Sequence, residues 1–292
     1  NLTAGATSLA CVEAALQSQT PLVIFCPNAA SSRRLVTELN FYAPESLPVL
    51  SLPDWEVLPY DHLSPDPNLT ALRLTTLLKL PQLKQGILVV AVTSLMQRLP
   101  PKEFVASQVL MFKQGQQLNL LALREQLEIA GYRNVSKVYE QGEYALRGGL
   151  LDLFPVGNQQ PLRLELFDDE LESLRCFDPQ TQLTTSQIEE FSLLPAHELV
   201  LDKPSLELFK TEFQTRFNQN LNQNNFYQAT VKGQVTPGIE FYLPLFFSHT
   251  CTLFDYLPEN SLLVELATPA EKDQPSLAKA GENFWQEIQR RY

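Results

Sequence analysis

The sequence predicts a mixed α/β protein in which a parallel-sheet domain is interrupted by a smaller antiparallel α+β domain. Short apolar runs alternate with helical segments over the first part of the chain, which is typical of a parallel sheet covered by helices. After Lys102 closely spaced strands and turns follow, and this pattern favours antiparallel pairing. We therefore predict three segments, residues 1–111, 112–195 and 196–292, of which the third completes the domain begun by the first.

Three short apolar runs in the first segment are predicted to be buried strands: Pro21 to Pro27, Val49 to Pro53 and Ile87 to Val92. Each is rich in Val, Ile or Leu and has proline or glycine next to it, as expected for a strand buried on both faces. Helices are predicted at Leu9 to Leu16, Ser31 to Asn40 and Leu69 to Leu80. Ser31 or Ser32 is expected to cap the second helix.

The second and third segments follow a different pattern. A strand is predicted at Val109 to Gln116, and a helix begins at Asn119, a favourable N-cap, and ends at Gly131. Strands and turns occupy the rest of the second segment. The third segment is predicted to be helical from Leu206 to Phe217, to pass through a Gln/Asn-rich turn and to contain the strand Ser261 to Leu266.

Composition restricts the possible functions. The 292 residues include 33 acidic and 22 basic side chains, and a net charge of -11 opposes general binding to phosphate backbones. The four cysteines are far apart, which favours a reducing cytoplasm over a disulfide framework. No apolar run is long enough to span a bilayer. We expect a cytoplasmic monomer without membrane contacts, and a chain that is a piece of a longer protein.

The order strand, loop, helix suggests a nucleotide site, but the nucleotide-binding motif is missing. A P-loop requires GxxxxGK[ST], because backbone amides cradle the phosphates and the lysine reaches the outer ones. The nearest candidate, Leu2 to Ala10, has one glycine and no lysine, and the first lysine of the chain is Lys79. The strand Ile87 to Val92 ends without an acidic residue, and Glu265 stands alone in its strand. We therefore predict a degenerate loop at Leu2 to Ala10 and no cofactor.

Other catalytic patterns are also missing. His62, His197 and His249 lack the spacing of metal ligands, and no GxSxG motif occurs. The acidic pair Asp168 and Asp169 lies between two predicted strands, where it is explained by the chemistry of a turn. The sequence predicts no metal site, no catalytic residue and no enzyme.

The run PLRLELF is predicted to be a strand with two unlike faces. Its leucines must face the core: Leu162, Leu164 and Leu166. The opposite face carries Arg163, Glu165 and Phe167, and aromatic side chains beside arginine are enriched at interaction hot spots. The alternative is that Phe167 packs against the next strand of the hairpin.

Arg147 precedes two glycines and another predicted strand. Gly148 and Gly149 permit a kink or bulge at this point. Arg147 by itself is better explained as a surface arginine with ordinary partners.

The run EYALRGGLLDLFPV, followed by PLRLELFDDELESLRCFD, closely resembles the segment that the excision-repair protein UvrB shares with bacterial transcription-repair coupling factors. In that pattern Arg-Gly precedes a strand ending in D-[LI]-F-P, and R-[LI]-[ED]-x-F-x-D-E-[LI]-E follows a short loop. Both halves are present, at Arg147 to Pro155 and Arg163 to Glu172. The stretch Leu52 to Leu74 resembles the coupling factors in particular, because it is too short to hold the DNA-clamping hairpin of UvrB.

The resemblance implies a degenerate helicase-like domain 1, made of residues 1–111 and 196–292, and an inserted domain 2 at residues 112–195. Domain 2 of this family binds UvrA, the damage-recognition ATPase, by imitating UvrB. The residues that correspond to the docking site are Arg147, Arg163, Glu165 and Phe167. RNA polymerase and DNA would be bound by other domains of the longer protein.

The resemblance and the strand pattern agree on Phe167, and together they favour an adaptor. The alternative is a helicase-like fragment that binds DNA or nucleotide directly, against which the missing lysine and the acidic charge both count. Charge reversal at Arg147 or Arg163 is expected to abolish docking and to leave the fold intact.

Overall fold

A computed structural model of the chain describes residues 4–59, 61, 63–217, 221–266 and 275–291. Two compact units are formed. The first contains the described residues of 1–63, 75–102 and 250–292, and the second contains those of 64–74 and 103–249. Among all of these residues, no helix combines the length and apolarity needed to cross a membrane.

The helices are α1 (Ala4–Gln17), α2 (Ala29–Tyr42), α3 (Pro67–Lys79), α4 (Val92–Leu95), α5 (Lys102–Ser107), α6 (Leu120–Ile129), α7 (Lys203–Arg216), α8 (Asn225–Thr230), α9 (Leu253–Tyr256) and α10 (Leu277–Arg291). Short 3-10 helices lie at Leu80–Gln82 and Ile239–Leu245. The strands are β1 (Pro21–Cys26), β2 (Val49–Leu52), β3 (Gly86–Ala91), β4 (Leu110–Lys113), β5 (Arg133–Asn134), β6 (Glu143–Arg147), β7 (Leu150–Leu153), β8 (Leu162–Phe167), β9 (Glu170–Phe177), β10 (Thr184–Ile188), β11 (Glu190–Leu193) and β12 (Leu262–Glu265).

The first unit is built on a parallel sheet with the strand order β12-β1-β3-β2. Every residue of β1 and β3 is buried, as the apolar runs predicted. Helices α1 and α2 add Val12, Ala15 and Leu39 to the core beneath the sheet. The parallel α/β fold predicted for the first segment is thus confirmed, and β12 from the third segment pairs with β1.

Two local predictions at the start of this unit are wrong. The described part of the predicted loop Leu2 to Ala10, from Ala4 onward, belongs to α1, because its alanine-rich sequence has a high helix propensity. Leu2 itself lies outside the described residues. Helix α2 is capped by Asn28, whose side-chain oxygen accepts a hydrogen bond from the backbone N–H of Ser31 at 2.8 Å.

The second unit contains the main antiparallel sheet, with the strand order β10-β9-β8-β7-β6-β5. Its strands pair antiparallel except β5 and β6, which pair parallel. One face packs against α6, which begins after the Asn119 cap as predicted. Strands β4 and β11 form a separate antiparallel pair. The predicted antiparallel α+β architecture is confirmed.

Residues 196–249 pack in the same unit as the main antiparallel sheet. They bring an aromatic core in which Phe209 stacks on Phe246 with ring centroids 4.7 Å apart. Arg73 of α3 and Glu198 form a buried ion pair within this unit. The predicted segments end at residues 111 and 195, whereas residues 103–249 belong to one compact unit together with residues 64–74.

Candidate docking surface

Two hairpin turns lie at the same end of the main antiparallel sheet. Gly148 and Gly149 join β6 to β7, and Asp168 and Asp169 join β8 to β9. The backbone N–H of Leu166 donates to the carbonyl of Gly149 at 2.8 Å, so the two turns are neighbours. The two halves of the motif, Arg147 to Pro155 and Arg163 to Glu172, thereby meet at one end of the sheet.

The first of these turns requires its glycines. Gly148 has a positive φ of 59°, a conformation that costs little only for glycine. A Cβ at Gly149 would lie 2.7 Å from the carbonyl oxygen of Leu166, which is too close. The predicted kink or bulge is in fact a tight turn. Register shifts in this sheet lie instead in the pairing of β8 with β9, between Glu165 and Leu166, and in the pairing of β10 with β9, between Thr184 and Ser186.

The leucine face of β8 is confirmed. Leu162 and Leu164 are fully buried, and Leu166 packs against the same core. This core also receives the apolar side chains of the neighbouring strands: Leu151, Leu153, Leu171 and Leu174. The core fixes β8 in one register, because a one-residue shift would turn its leucines toward the opposite face.

On the opposite face, Arg163 and Arg147 both bind Asp152 of β7, whose side chain is fully buried. Asp152 lies beside Arg163 in the register of β7 and β8. Arg163 Nε donates to Asp152 Oδ1 at 2.7 Å, and its Nη2 donates to Oδ2 at 2.9 Å. Arg147 Nη2 donates to the same Oδ2 at 2.6 Å. The structure thus brings Arg147 and Arg163 together on one carboxylate.

Arg163 points away from the leucine core but is largely covered. Its side chain is 17% exposed, and its guanidinium lies 4.6 Å from the ring centroid of Phe177. The guanidinium also donates to the carbonyl of Gln182 at 3.3 Å. Hydrogen bonds to Asp152 raise the pKa of Arg163 above its ordinary value. Arg163 is therefore held on three sides, whereas the sequence predicted only that it lies on the face opposite the leucines.

Glu165 and Phe167 are more accessible. Glu165 accepts a hydrogen bond from Ser173 Oγ at 2.7 Å and pairs with Arg175 at 3.2 Å. Phe167 is 72% exposed and directly precedes the turn residue Asp168, whose φ is 52°. Packing against the hairpin therefore does not bury Phe167, although its strand position is fixed by pairing with Glu170.

We call the four residues that the sequence predicts to bind a partner the docking face: Arg147, Arg163, Glu165 and Phe167. Sequence reasoning missed Asp152 and Arg175, which bind its members. A signal for Asp152 was present, because alternation in LLDLF places it opposite Leu151 and Leu153 as a lone charge in an apolar strand.

Other sequence candidates do not come together. His197 contacts Glu240 at 3.2 Å, His249 lies beside Ser248, and His62 is outside the described residues. Across the described part of the chain, no group of three or more His, Cys, Asp or Glu side chains is arranged to hold a metal ion. Asp168 and Asp169 form the hairpin turn that the sequence predicted.

Comparison with known proteins identifies this part of the chain. Residues 110–199 match the family described as UvrB interaction domain, and they include the whole docking face. The chain is 43% identical to the transcription-repair-coupling factor of Escherichia coli (strain K12) over 286 residues, which are 97% of this chain and 25% of that protein. It is 42% identical to the Haemophilus influenzae transcription-repair-coupling factor over 293 residues, covering 100% of this chain and 25% of that protein.

A more distant relative is the Bacillus subtilis transcription-repair-coupling factor, 26% identical over 263 residues and covering 85% of this chain. The chain spans about a quarter of the length of the curated relatives it matches. The matched residues contain the whole main antiparallel sheet, so the chain is a protein that carries a UvrB interaction domain. Within that class, the chain belongs to the transcription-repair-coupling factor family as its UvrB-homology module.

Proposed function

We propose that this chain is a non-catalytic adaptor that binds the repair protein UvrA through the docking face. The observation that carries the proposal is Phe167, a large aromatic side chain that is 72% exposed at the end of a strand fixed by a leucine core. Exposed aromatic side chains beside arginine are the usual anchors of protein interfaces. UvrB and the coupling factors would then recruit UvrA with the same kind of surface.

The rigidity of the docking face supports this proposal. Its charged side chains are held by partners within the sheet: Arg163 by Asp152, and Glu165 by Ser173 and Arg175. A preorganised surface loses less side-chain entropy on binding. The face is therefore suited to a partner of fixed shape.

The charge of the whole chain also supports an adaptor over a DNA-binding fragment. A net charge of -11 does not provide the counterion release that drives non-specific affinity for DNA. We propose that contacts with RNA polymerase and DNA belong to other parts of the longer protein. We also propose that the parallel-sheet unit is a degenerate helicase-like domain, and that the module acts as a cytoplasmic monomer.

Titration calorimetry with purified UvrA tests the proposal. Wild-type chain is expected to bind, and Phe167→Ala is expected to weaken binding by about 2 kcal/mol, roughly thirtyfold in Kd. The thermal unfolding of this variant should be nearly unchanged, because an exposed side chain contributes little core burial.

Leu121→Ala is the matched control. Leu121 is 74% exposed on α6 in the same unit, so its loss removes similar exposed apolar surface outside the docking face. The control variant should bind UvrA like wild type. Equal binding by the Phe167→Ala variant would show that the docking site lies elsewhere.

A further inference from the structure

Asp152 is a buried charge in an otherwise apolar strand. Its neighbours in β7, Leu151 and Leu153, belong to the leucine core, while the Asp152 side chain is fully buried on the other face. A buried carboxylate loses its hydration, and a buried ion pair often stabilises a fold no better than apolar residues of similar size would. Folding alone therefore does not explain an aspartate at this position.

The carboxylate divides its hydrogen bonds unequally between the two arginines. Arg163 takes both oxygens and is also held by Phe177, so it forms the inner, fixed member of the group. Arg147 makes one bond to Asp152, through Nη2, and its side chain remains 51% exposed. Arg147 therefore presents further N–H donors to the surface from an anchored position.

The charges of this group do not cancel. Three guanidiniums (Arg147, Arg163 and Arg175) face two carboxylates (Asp152 and Glu165), which leaves a surplus of one positive charge. The surplus belongs to this ionic group alone, because Asp168, Asp169 and Glu170 of the adjoining hairpin are acidic. The remaining N–H donors of Arg147 match a partner that offers a carboxylate or carbonyl oxygen, and Phe167 matches an apolar recess.

We infer that Asp152 is the positioning residue of the docking face: it holds the guanidinium of Arg147 in the orientation that meets the partner. The inference rests on the proposed UvrA docking. Asp152 itself is fully buried, so it acts through Arg147 and not by touching the partner.

A double-mutant cycle on UvrA binding tests the inference. Asp152→Asn should weaken binding about tenfold in the wild-type background and hardly at all in an Arg147→Ala background, because the two residues act as one unit. In a Phe167→Ala background the loss from Asp152→Asn should stay near tenfold. Glu190→Gln, on β11 outside this sheet, makes the same charge change and should bind like wild type. An equal loss in the Arg147→Ala background would mean a merely structural role and overturn the inference.

A second measurement needs neither UvrA nor a substitution at a buried site. NMR relaxation of the arginine side chains in the wild-type chain should show Arg147 more ordered than Arg216. Arg216 is a matched control, because it is 59% exposed and pairs with the surface carboxylate of Glu212 at 2.8 Å. Equal disorder of Arg147 and Arg216 would overturn the inference even if Asp152→Asn does not fold.

The two measurements separate failure of the inference from failure of the proposed function. Wild-type chain that does not bind UvrA, yet shows an ordered Arg147, would refute the proposed partner and leave the role of Asp152 as a positioning residue supported. Wild-type chain that binds UvrA while Arg147 is disordered would support the proposed partner and refute the positioning role of Asp152. In a folded Asp152→Asn variant, the order of Arg147 should fall to that of Arg216.

Discussion

The parallel sheet and the main antiparallel sheet differ in what they bury. Strands β1 and β3 are buried over their whole length and carry only apolar side chains. Strand β7 is almost as buried, yet it contains Asp152, and its neighbour β8 contains Arg163. These two central strands of the first sheet are explained by hydrophobic burial alone. The second sheet retains a buried ionic group, Asp152 with Arg163, although such groups often stabilise a fold no better than apolar residues would. The exposed Phe167 lies on the same side of β8 as Arg163, and hydrophobic burial accounts for neither residue.

The largest effect is expected from Arg163→Glu, which should break the ionic group. Asp152 would lose its bidentate partner and face a second carboxylate while still buried. Removing one partner of a buried pair typically costs about 3–5 kcal/mol, so the free energy of unfolding should fall by that amount in urea titrations. The sequence alone predicted that charge reversal would leave the fold intact, and for Arg163 the buried Asp152 argues against this.

Arg216→Glu is the control for that experiment. Arg216 is exposed and bonded to a surface carboxylate, and the loss of such a pair costs at most about 1 kcal/mol. Equal stability of the Arg163→Glu and Arg216→Glu variants would show that the ionic group does not hold this face of the sheet together.

Strand β8 shows what the sequence could predict and what it could not. Strict alternation in PLRLELF correctly placed Leu164 in the core and left Phe167 outside, because side chains in a strand alternate between faces. The cover over Arg163 could not be predicted, since Phe177 and Gln182 come from β9 and the following turn. Residues that come into contact only in the folded chain leave no pattern in the sequence around Arg163.

The same limit applies to the unit boundaries. Residues after 195 were predicted to complete the parallel-sheet domain, and β12 does pair with β1. Residues 196–249, however, pack with the other unit, where Glu198 binds the buried Arg73. This ion pair joins positions 125 residues apart, and the periodicity of neither segment predicts it.

A slightly smaller effect is expected from Leu164→Ala, which tests the opposite face of β8. Leu164 is fully buried, and truncation of such a side chain costs roughly 2–5 kcal/mol through lost contacts and a cavity. Folded Leu164→Ala chain should still bind UvrA with nearly wild-type affinity, because the docking face is untouched. Leu183→Ala, at an exposed leucine, should change stability by less than about 0.5 kcal/mol. A Leu164→Ala variant as stable as Leu183→Ala would mean that β8 is not anchored by its leucines.

The smallest effect concerns the parallel-sheet unit. Phosphate binding at such a sheet relies on free backbone N–H groups at a helix N-terminus and on a lysine. At α2 the side chain of Asn28 already accepts from the N–H of Ser31, and the nearest basic residues, Arg33 and Arg34, pair with Glu56 and Glu38. The first lysine in the sequence is Lys79. These groups are therefore poorly suited to hold a triphosphate.

Calorimetry with ATP and Mg²⁺ is accordingly expected to give no binding heat beyond dilution, and ATP should leave the thermal unfolding of the chain unchanged. A ligand that binds the folded state at a hundred times its Kd would stabilise it by about 2.7 kcal/mol, so a shift in unfolding temperature is a sensitive check. Micromolar binding would contradict the prediction and favour the nucleotide-binding alternative. If Arg33→Ala or Arg34→Ala then abolished that binding, the site would lie at the start of α2, and the parallel sheet would have a chemical role of its own.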